Sequence, residues 1–158
     1  MKDLNKVLRV SQDTIDDLIY KIDNYEYKVL PNQNKIILCL LYLDETVVSL
    51  DKTSNDKMFY HEISQLIKNQ FNELEIFRIW VIKYQPNSGT DFHTDNFINR
   101  VIIPIKTNDK SILHYKTKNE IEDWYLKLYH SYLIENLEHK FFNYHETEDR
   151  IAIVFDYK

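Results

Sequence analysis

The stretch YQPNSGTDFHTDNFINR, Tyr84 to Arg100, decides how the chain is read. It follows the run IFRIWVIKY (Ile76 to Tyr84) and leads into RVIIPIKT (Arg100 to Thr107). Both runs are aromatic and β-branched, which predicts strands. Between them sits the only glycine of the chain, Gly89, in a PNSG turn, and four residues later a His-x-Asp pair, His93 and Asp95. On an extended backbone residues i and i+2 point the same way, with Cα atoms roughly 7 Å apart. An imidazole and a carboxylate so placed can converge on one metal ion at about 2.0–2.2 Å. A third ligand from a distant strand would complete a two-histidine, one-carboxylate facial triad, the set that holds Fe(II) and leaves positions open for a co-substrate and O2.

A His-x-Asp pair is common by chance, so the weight falls on what lies downstream. His114, His130, His139 and His145 are all available as third ligand. His139 is favoured because it opens the strand-like run HKFFNYH and precedes Arg150 by eleven positions across an ETED turn. If the two runs are antiparallel neighbours, His139 and Arg150 share one cavity. Arg150 opens an otherwise apolar strand, RIAIVFDYK, and there it needs an anionic partner. A guanidinium grips a carboxylate in a bidentate way. The plain alternative is a surface ion pair with Glu146, Glu148 or Asp149.

The last strand has two apolar faces, Ala152 and Val154 on one and Ile151, Ile153 and Phe155 on the other, so it is covered on both sides. SILHYKT follows an NDK turn as a further strand. Pro104 lacks a ladder donor, which predicts a bulge or an edge there. WYLKLYHSYLI fits strand or helix equally. Trp80 and Tyr84 share a face of the strand before Gly89. They are candidates to line the cavity, Trp80 toward substrate and Tyr84 toward a co-substrate, although strand aromatics are more often core. His114 and Tyr115 invite the same reading, with core packing as the commoner role.

Upstream, Ile15, Leu18, Ile19 and Ile22 recur at helical spacing, predicting a helix over Ser11 to Asp23 capped by Ser11. Periodicity leaves Lys35 to Leu50 open between a buried strand and a buried helix, and its short run and Ile, Val and Thr content favour strand; Asp51 to Asp56 reads as a loop and Lys57 to Asn72 as a helix. That helix would bury Phe59, Ile63, Leu66, Ile67 and Phe71 and be capped by Asn55 or Asp56. Helices first and strands after predict an α+β, mainly β chain: a sandwich or barrel carrying N-terminal helices. With 158 residues, one domain is expected, its N-terminal part at 1–75 and its β core at 76–158.

Composition excludes several classes. One cysteine, Cys39, permits no internal disulfide and no multi-cysteine zinc site, and its apolar run makes it a buried thiol. One glycine permits no phosphate-cradling loop of the Rossmann or P-loop kind. The net charge of −5 counts against nucleic acid as partner. No apolar run is long enough for a membrane span, and MKDLNKVLRV lacks the apolar core of a signal peptide, so a cytoplasmic protein is expected.

The region from Ile76 to Lys158, about half the chain, resembles the Fe(II)/2-oxoglutarate-dependent dioxygenases, most closely their aspartyl/asparaginyl β-hydroxylase branch. The resemblance rests on residues in order: Gly89, His93, Arg100 seven residues on, the LIENLEH approach to His139, Asn143, Arg150, and the run IAIVFD. It implies a double-stranded β-helix, or jelly-roll, core. It implies that His93, Asp95 and His139 bind Fe(II), that Arg150 grips the distal carboxylate of 2-oxoglutarate, and that Arg100 binds 2-oxoglutarate or an acidic group of the substrate. The implied activity is O2-dependent hydroxylation of a peptide side chain, amino acid or small metabolite, releasing succinate and CO2. Asp95 stands where the vertebrate-type members of the branch have glycine, and Ile102 and Pro104 stand where the branch carries further basic residues. Two other readings stay open: a non-catalytic cupin-like binding domain, and a metal enzyme on the same barrel that does not use 2-oxoglutarate.

Overall fold

A computed structural model describes residues 1–24, 35–42, 54–96 and 99–158, with backbone alone for 21–22, 24, 35–42 and 54–60. In chain order the elements are β1 (Lys2–Val7), α1 (Gln12–Asn24), β2 (Lys35–Tyr42), α2 (Ser54–Gln70), β3 (Ile76–Tyr84), β4 (Ser88–Gly89), β5 (Asn99–Lys106), β6 (Ser111–Lys116), β7 (Ile121–Trp124), β8 (His130–Ile134), β9 (His139–Asn143) and β10 (Arg150–Tyr157). They form two antiparallel sheets. The major sheet runs β1-β8-β5-β10-β3-β2 and the minor sheet β4-β9-β6-β7. This is an α+β, mainly β chain with a jelly-roll core.

The alternation of apolar residues along β3, β5 and β10 explains the layering. Ile79 and Val81, Val101 and Ile103, and Ile151, Ile153 and Phe155 face α1 and α2, which contribute Ile15, Leu18, Ile63 and Ile67 to the same core, joined by Phe71 just past the end of α2. The opposite face of the major sheet meets the minor sheet through a second cluster, in which Tyr84 and Tyr132 pack with Leu113, Tyr115 and Phe141. The two-faced reading of β10 therefore holds: it lies between β5 and β3 with both faces buried.

Ser11 caps α1, accepting a bond from the Thr14 amide at 3.2 Å. α2 begins earlier than expected, at Ser54, so Asn55 and Asp56 are helical residues rather than loop or cap. Leu66 is 38% exposed, while Ser64 is buried in its place. β1 was not foreseen, and together with β2 it extends the major sheet at both edges with N-terminal chain. The remainder of the strand reading after Tyr42 lies outside the described residues, as does the expected loop before Ser54. WYLKLYHSYLI divides into β7, a turn and β8. Pro104 is not at an edge. β5 is interior, and a register shift opposite Ile151 and Ala152 absorbs the missing donor as a bulge.

The glycine serves close packing rather than its own backbone conformation. Gly89 does not have a positive φ; the left-handed residue of the PNSG turn is Asn87, at φ 50°, a conformation asparagine tolerates. Gly89 is needed for close approach. A Cβ there would stand 2.2 Å from the Phe141 carbonyl oxygen and 2.7 Å from the Phe142 Cα. Both are backbone atoms and cannot swing aside. Gly89→Ala should therefore push β4 off β9 and cost on the order of 3 kcal/mol. Urea denaturation checks this: the midpoint should fall with little change in slope.

Candidate metal centre

The connection from β4 to β5 runs back along β9. The Thr90 amide donates to the Phe141 carbonyl at 2.8 Å, and His93 and His139 exchange a pair of backbone hydrogen bonds, both 2.9 Å. This bridge sets the two imidazoles side by side, with ring centroids 4.6 Å apart. Asp95, two residues beyond His93, turns toward both. Its Oδ1 is 3.4 Å from His93 Nε2 and its Oδ2 3.6 Å from His139 Nε2. The ligand atoms of the three residues all lie within 4.8 Å of one another, and no other such group exists among the described residues.

The tautomers follow from the neighbours. His93 Nδ1 lies 2.7 Å from the Asp91 carbonyl oxygen and His139 Nδ1 lies 2.8 Å from that of Leu137. A carbonyl oxygen only accepts, so each Nδ1 carries the proton and donates it. Nε2 is then the ring nitrogen that each imidazole turns toward Asp95, and the one a metal would take. A metal-binding histidine is held in this way, with its second ring nitrogen tied to a carbonyl. The Asp95 carboxyl is drawn down to about 2, first by the His139 imidazole beside it and then, against the cost of burial, by the charges of Arg100 and His93. It therefore stays ionised through the whole neutral and mildly acid range. Two imidazole lone pairs and one ionised oxygen acid form a donor set suited to a divalent metal such as Fe(II).

The other histidines are occupied elsewhere. His114 lies between Asp123 (2.6 Å) and the Tyr144 hydroxyl (3.0 Å). His130 lies 3.5 Å from Asp3. His145 Nδ1 accepts from the amides of Thr147 and Glu148 at 3.2 and 3.0 Å.

Arg150 is placed differently from the expectation that it neighbours His139 on an adjacent strand. β9 and β10 belong to different sheets, and β10 pairs with β3 and β5. His139 and Arg150 share the space between the sheets because both point inward from opposite walls. Arg150 is 2% exposed. Its guanidinium carbon lies 4.0 Å from the Phe141 ring centre and 5.9 Å from that of Tyr84. Its Nη2 has no hydrogen-bond partner. The surface ion pair is not formed: Asp149 pairs with Lys83 at 3.3 Å and Glu148 with His145 at 3.8 Å. Burial lowers the guanidinium to about 10, so it remains a cation at neutral pH.

Tyr84 is 5% exposed and stacks on Phe141 at 4.6 Å. Burial pushes its hydroxyl up to about 12. Tyr115, weighed in the sequence chiefly as core, lies against His139 with ring centroids 5.7 Å apart, and its buried hydroxyl lies by the Glu135 backbone with no other hydrogen-bond partner among the described residues. Burial also raises it. Both phenols are neutral donors at physiological pH. The signal for Tyr115 was its even spacing with Leu113 on β6, which fits core packing equally well. Arg100 departs most from expectation. Its guanidinium is engaged by two internal carboxylates, Asp95 and Asp156, rather than held open for a small molecule. Trp80 lies beside it, 8% exposed, with Arg78 and Arg100 4.3 and 4.8 Å from its ring centre. Asn143 is 0% exposed, and its side-chain bonds go to Asn108, Ser111, His145 and the backbone of Tyr84, Gln85 and Glu148.

The fold is shared with solved structures at low sequence identity. One is an oxidoreductase of the 2OG-Fe(II) oxygenase family from Burkholderia pseudomallei: TM-score 0.60, 9% identity, covering 94% of this chain and 79% of that one. A second is a prolyl-4-hydroxylase from Pseudomonas putida: 0.58, 12%, 96% and 89%. The third is HygX from Streptomyces hygroscopicus, solved with nickel and 2-oxoglutarate bound: 0.61, 8%, 94% and 79%. These likenesses establish a jelly roll. No protein-family model and no curated protein matches the sequence. No described helix is long and apolar enough to cross a membrane.

Proposed function

We infer that the protein is an Fe(II)- and 2-oxoglutarate-dependent oxygenase that hydroxylates a peptide side chain, an amino acid or a small metabolite in the cytoplasm. The observation that carries this reading is Arg150: a buried cation without an acid partner among the described residues, in the same inter-sheet space as His93, Asp95 and His139. A buried charge with no counterion costs stability. It is retained where an anion from outside completes it.

In this reading His93, Asp95 and His139 hold Fe(II), and Arg150 pairs with the distal carboxylate of 2-oxoglutarate. With 2-oxoglutarate and O2, Fe(II) supplies an oxidant able to abstract a substrate hydrogen and return a hydroxyl group, with release of succinate and CO2. The protein's part is geometry and exclusion of water. Phe141 and Tyr84 shield the guanidinium and lower the local dielectric, which strengthens its grip on a carboxylate. The buried hydroxyl of Tyr115 would be a second donor for the same ligand. Tyr115→Phe should weaken 2-oxoglutarate binding by about 10-fold, the worth of one hydrogen bond to a charged group, and calorimetry reads this directly.

The order of Gly89, His93, Arg100, His139 and Arg150 resembles that of the aspartyl/asparaginyl hydroxylase branch. The pairing of Arg100 with Asp95 and Asp156 counts against carrying that branch's substrate over. Oxalate oxidase shares the fold at TM-score 0.50 and 12% identity, but a metal enzyme that does not use 2-oxoglutarate has no call on Arg150.

The decisive experiment adds Fe(II) and 2-oxoglutarate to the purified protein under argon and records the visible iron-to-oxoglutarate charge-transfer band. The band should form in wild type and vanish in His139→Ala and Asp95→Ala. Its absence from wild type would sink the reading.

A further inference from the structure

Arg100 has a built surrounding. Its Nε and Nη2 donate to Asp156 Oδ1 and Oδ2 at 2.8 and 3.1 Å, and its Nη1 donates to Asp95 Oδ2 at 2.5 Å. Asp156 is 2% exposed and also takes Arg78 on Oδ2. The strand register produces this chain of charges, because Asp156 stands opposite Arg100 on β5 and opposite Arg78 on β3. The Trp80 ring borders both guanidinium groups. Arg100 is thus fixed along one edge by a bidentate buried carboxylate and on its face by an indole, and its remaining edge is aimed at one oxygen of Asp95.

A carboxylate can give a metal one oxygen or two. An oxygen accepting a 2.5 Å bond from a fixed guanidinium cannot swing fully onto a metal without breaking that bond. We propose that Arg100 is a positioning residue that confines Asp95 to one-oxygen ligation, and that Asp156 holds Arg100 for this task. The effect would be to keep a further coordination position open for the small-molecule ligands of the metal. This rests on reading His93, Asp95 and His139 as a metal centre. It gives Arg100 a role toward the metal rather than toward 2-oxoglutarate. A lysine would keep the charge but cannot bridge Asp95 and Asp156 at once.

The test is titration of metal-free protein with Co(II) under argon, read by d–d absorption, for wild type, Arg100→Lys and Asp156→Asn, each first checked for folding by circular dichroism. Arg100→Lys keeps the cation and so guards against simple unfolding. Both variants should bind Co(II) about 10- to 100-fold more weakly. Their d–d bands should also lose molar intensity as Asp95 turns its second oxygen to the metal and raises the coordination number. A purely structural role for Arg100 would change melting temperature and leave the band of the bound metal unaltered. Variants that bind within twofold of wild type, with the same band, overturn the proposal and leave the metal centre standing. Wild type that binds no Co(II) overturns both.

Discussion

Replacing Arg150 with methionine is expected to weaken 2-oxoglutarate binding by about two to three orders of magnitude while raising the melting temperature. The first half follows from losing a bidentate, charge-assisted pair in a dry pocket, an interaction whose truncation costs on the order of 2–5 kcal/mol. The second half is the discriminating one. The guanidinium is buried, and its Nη2 has no hydrogen-bond partner among the described residues. Its compensation is the contact with Phe141 at 4.0 Å and the more distant Tyr84 ring. A desolvated cation–aromatic contact returns about 2 kcal/mol, less than the burial of an unpaired ion costs. Methionine fills similar space without a charge, so Arg150→Met should melt a few degrees higher, at about 2–4 °C per kcal/mol for a chain of this size. An arginine kept for the fold would give the opposite sign. Differential scanning calorimetry and 2-oxoglutarate titration on the same sample separate the two.

The pH dependence has the same origin. Burial depresses Arg150 to about 10 from 12.5, so between these values the unfolded chain holds the proton that the folded chain has released. Stability contributed by this group therefore rises with pH through that window. Below pH 10 the folded protein carries the full cost of the charge. In Arg150→Met that alkaline component should disappear.

Asn143→Ala is expected to be the most destabilising substitution outside the helical core, by on the order of 4 kcal/mol. Its Oδ1 accepts from Asn108 Nδ2 at 3.1 Å, Ser111 Oγ at 3.2 Å and the His145 amide at 3.2 Å. Its Nδ2 donates to the carbonyls of Tyr84, Gln85 and Glu148 at 3.3, 3.1 and 2.7 Å. One buried amide thus ties the end of β3, the β5–β6 turn and the β9–β10 turn together. Truncation strands several buried backbone groups at once, and each stranded group costs about 1–3 kcal/mol. Aspartate is not a rescue, because it has no donor for the three carbonyls. Thermal and urea unfolding measure the loss. The site should loosen with it, since the clamp holds both the segment leading to Gly89 and the strand carrying His139, and metal affinity should fall in parallel.

Asn143 shows where sequence reading stopped. Its place four residues after His139 was visible, but four of its six partners, Tyr84, Gln85, Asn108 and Ser111, lie 32 to 59 positions away and meet it only through tertiary packing. Arg100 failed for a related reason. Its partners Asp95 and Asp156 lie five and fifty-six positions away. Whether a guanidinium is free or already taken depends on strand register. A register that shifts by one residue moves every side chain to the other face, so residue identities alone cannot decide it. The pairing of β10 with β5, not β9, likewise had no local signature.

What the sequence determined by itself was local in its physics. Period-two alternation marked the strands and both faces of β10, helical spacing and Ser11 marked α1, and His93 and Asp95 fell together because two residues of extended chain bring side chains to one side. A single glycine and a single cysteine removed whole classes of enzyme. What the tertiary structure alone decided was which distant groups meet: His139 laid beside His93 by a backbone bridge, Arg150 facing them from the other sheet with no acid partner among the described residues, and Arg100 locked between two aspartates. Those meetings depend on sheet order and register, which are fixed by the packing of all strands together and are written in no single segment.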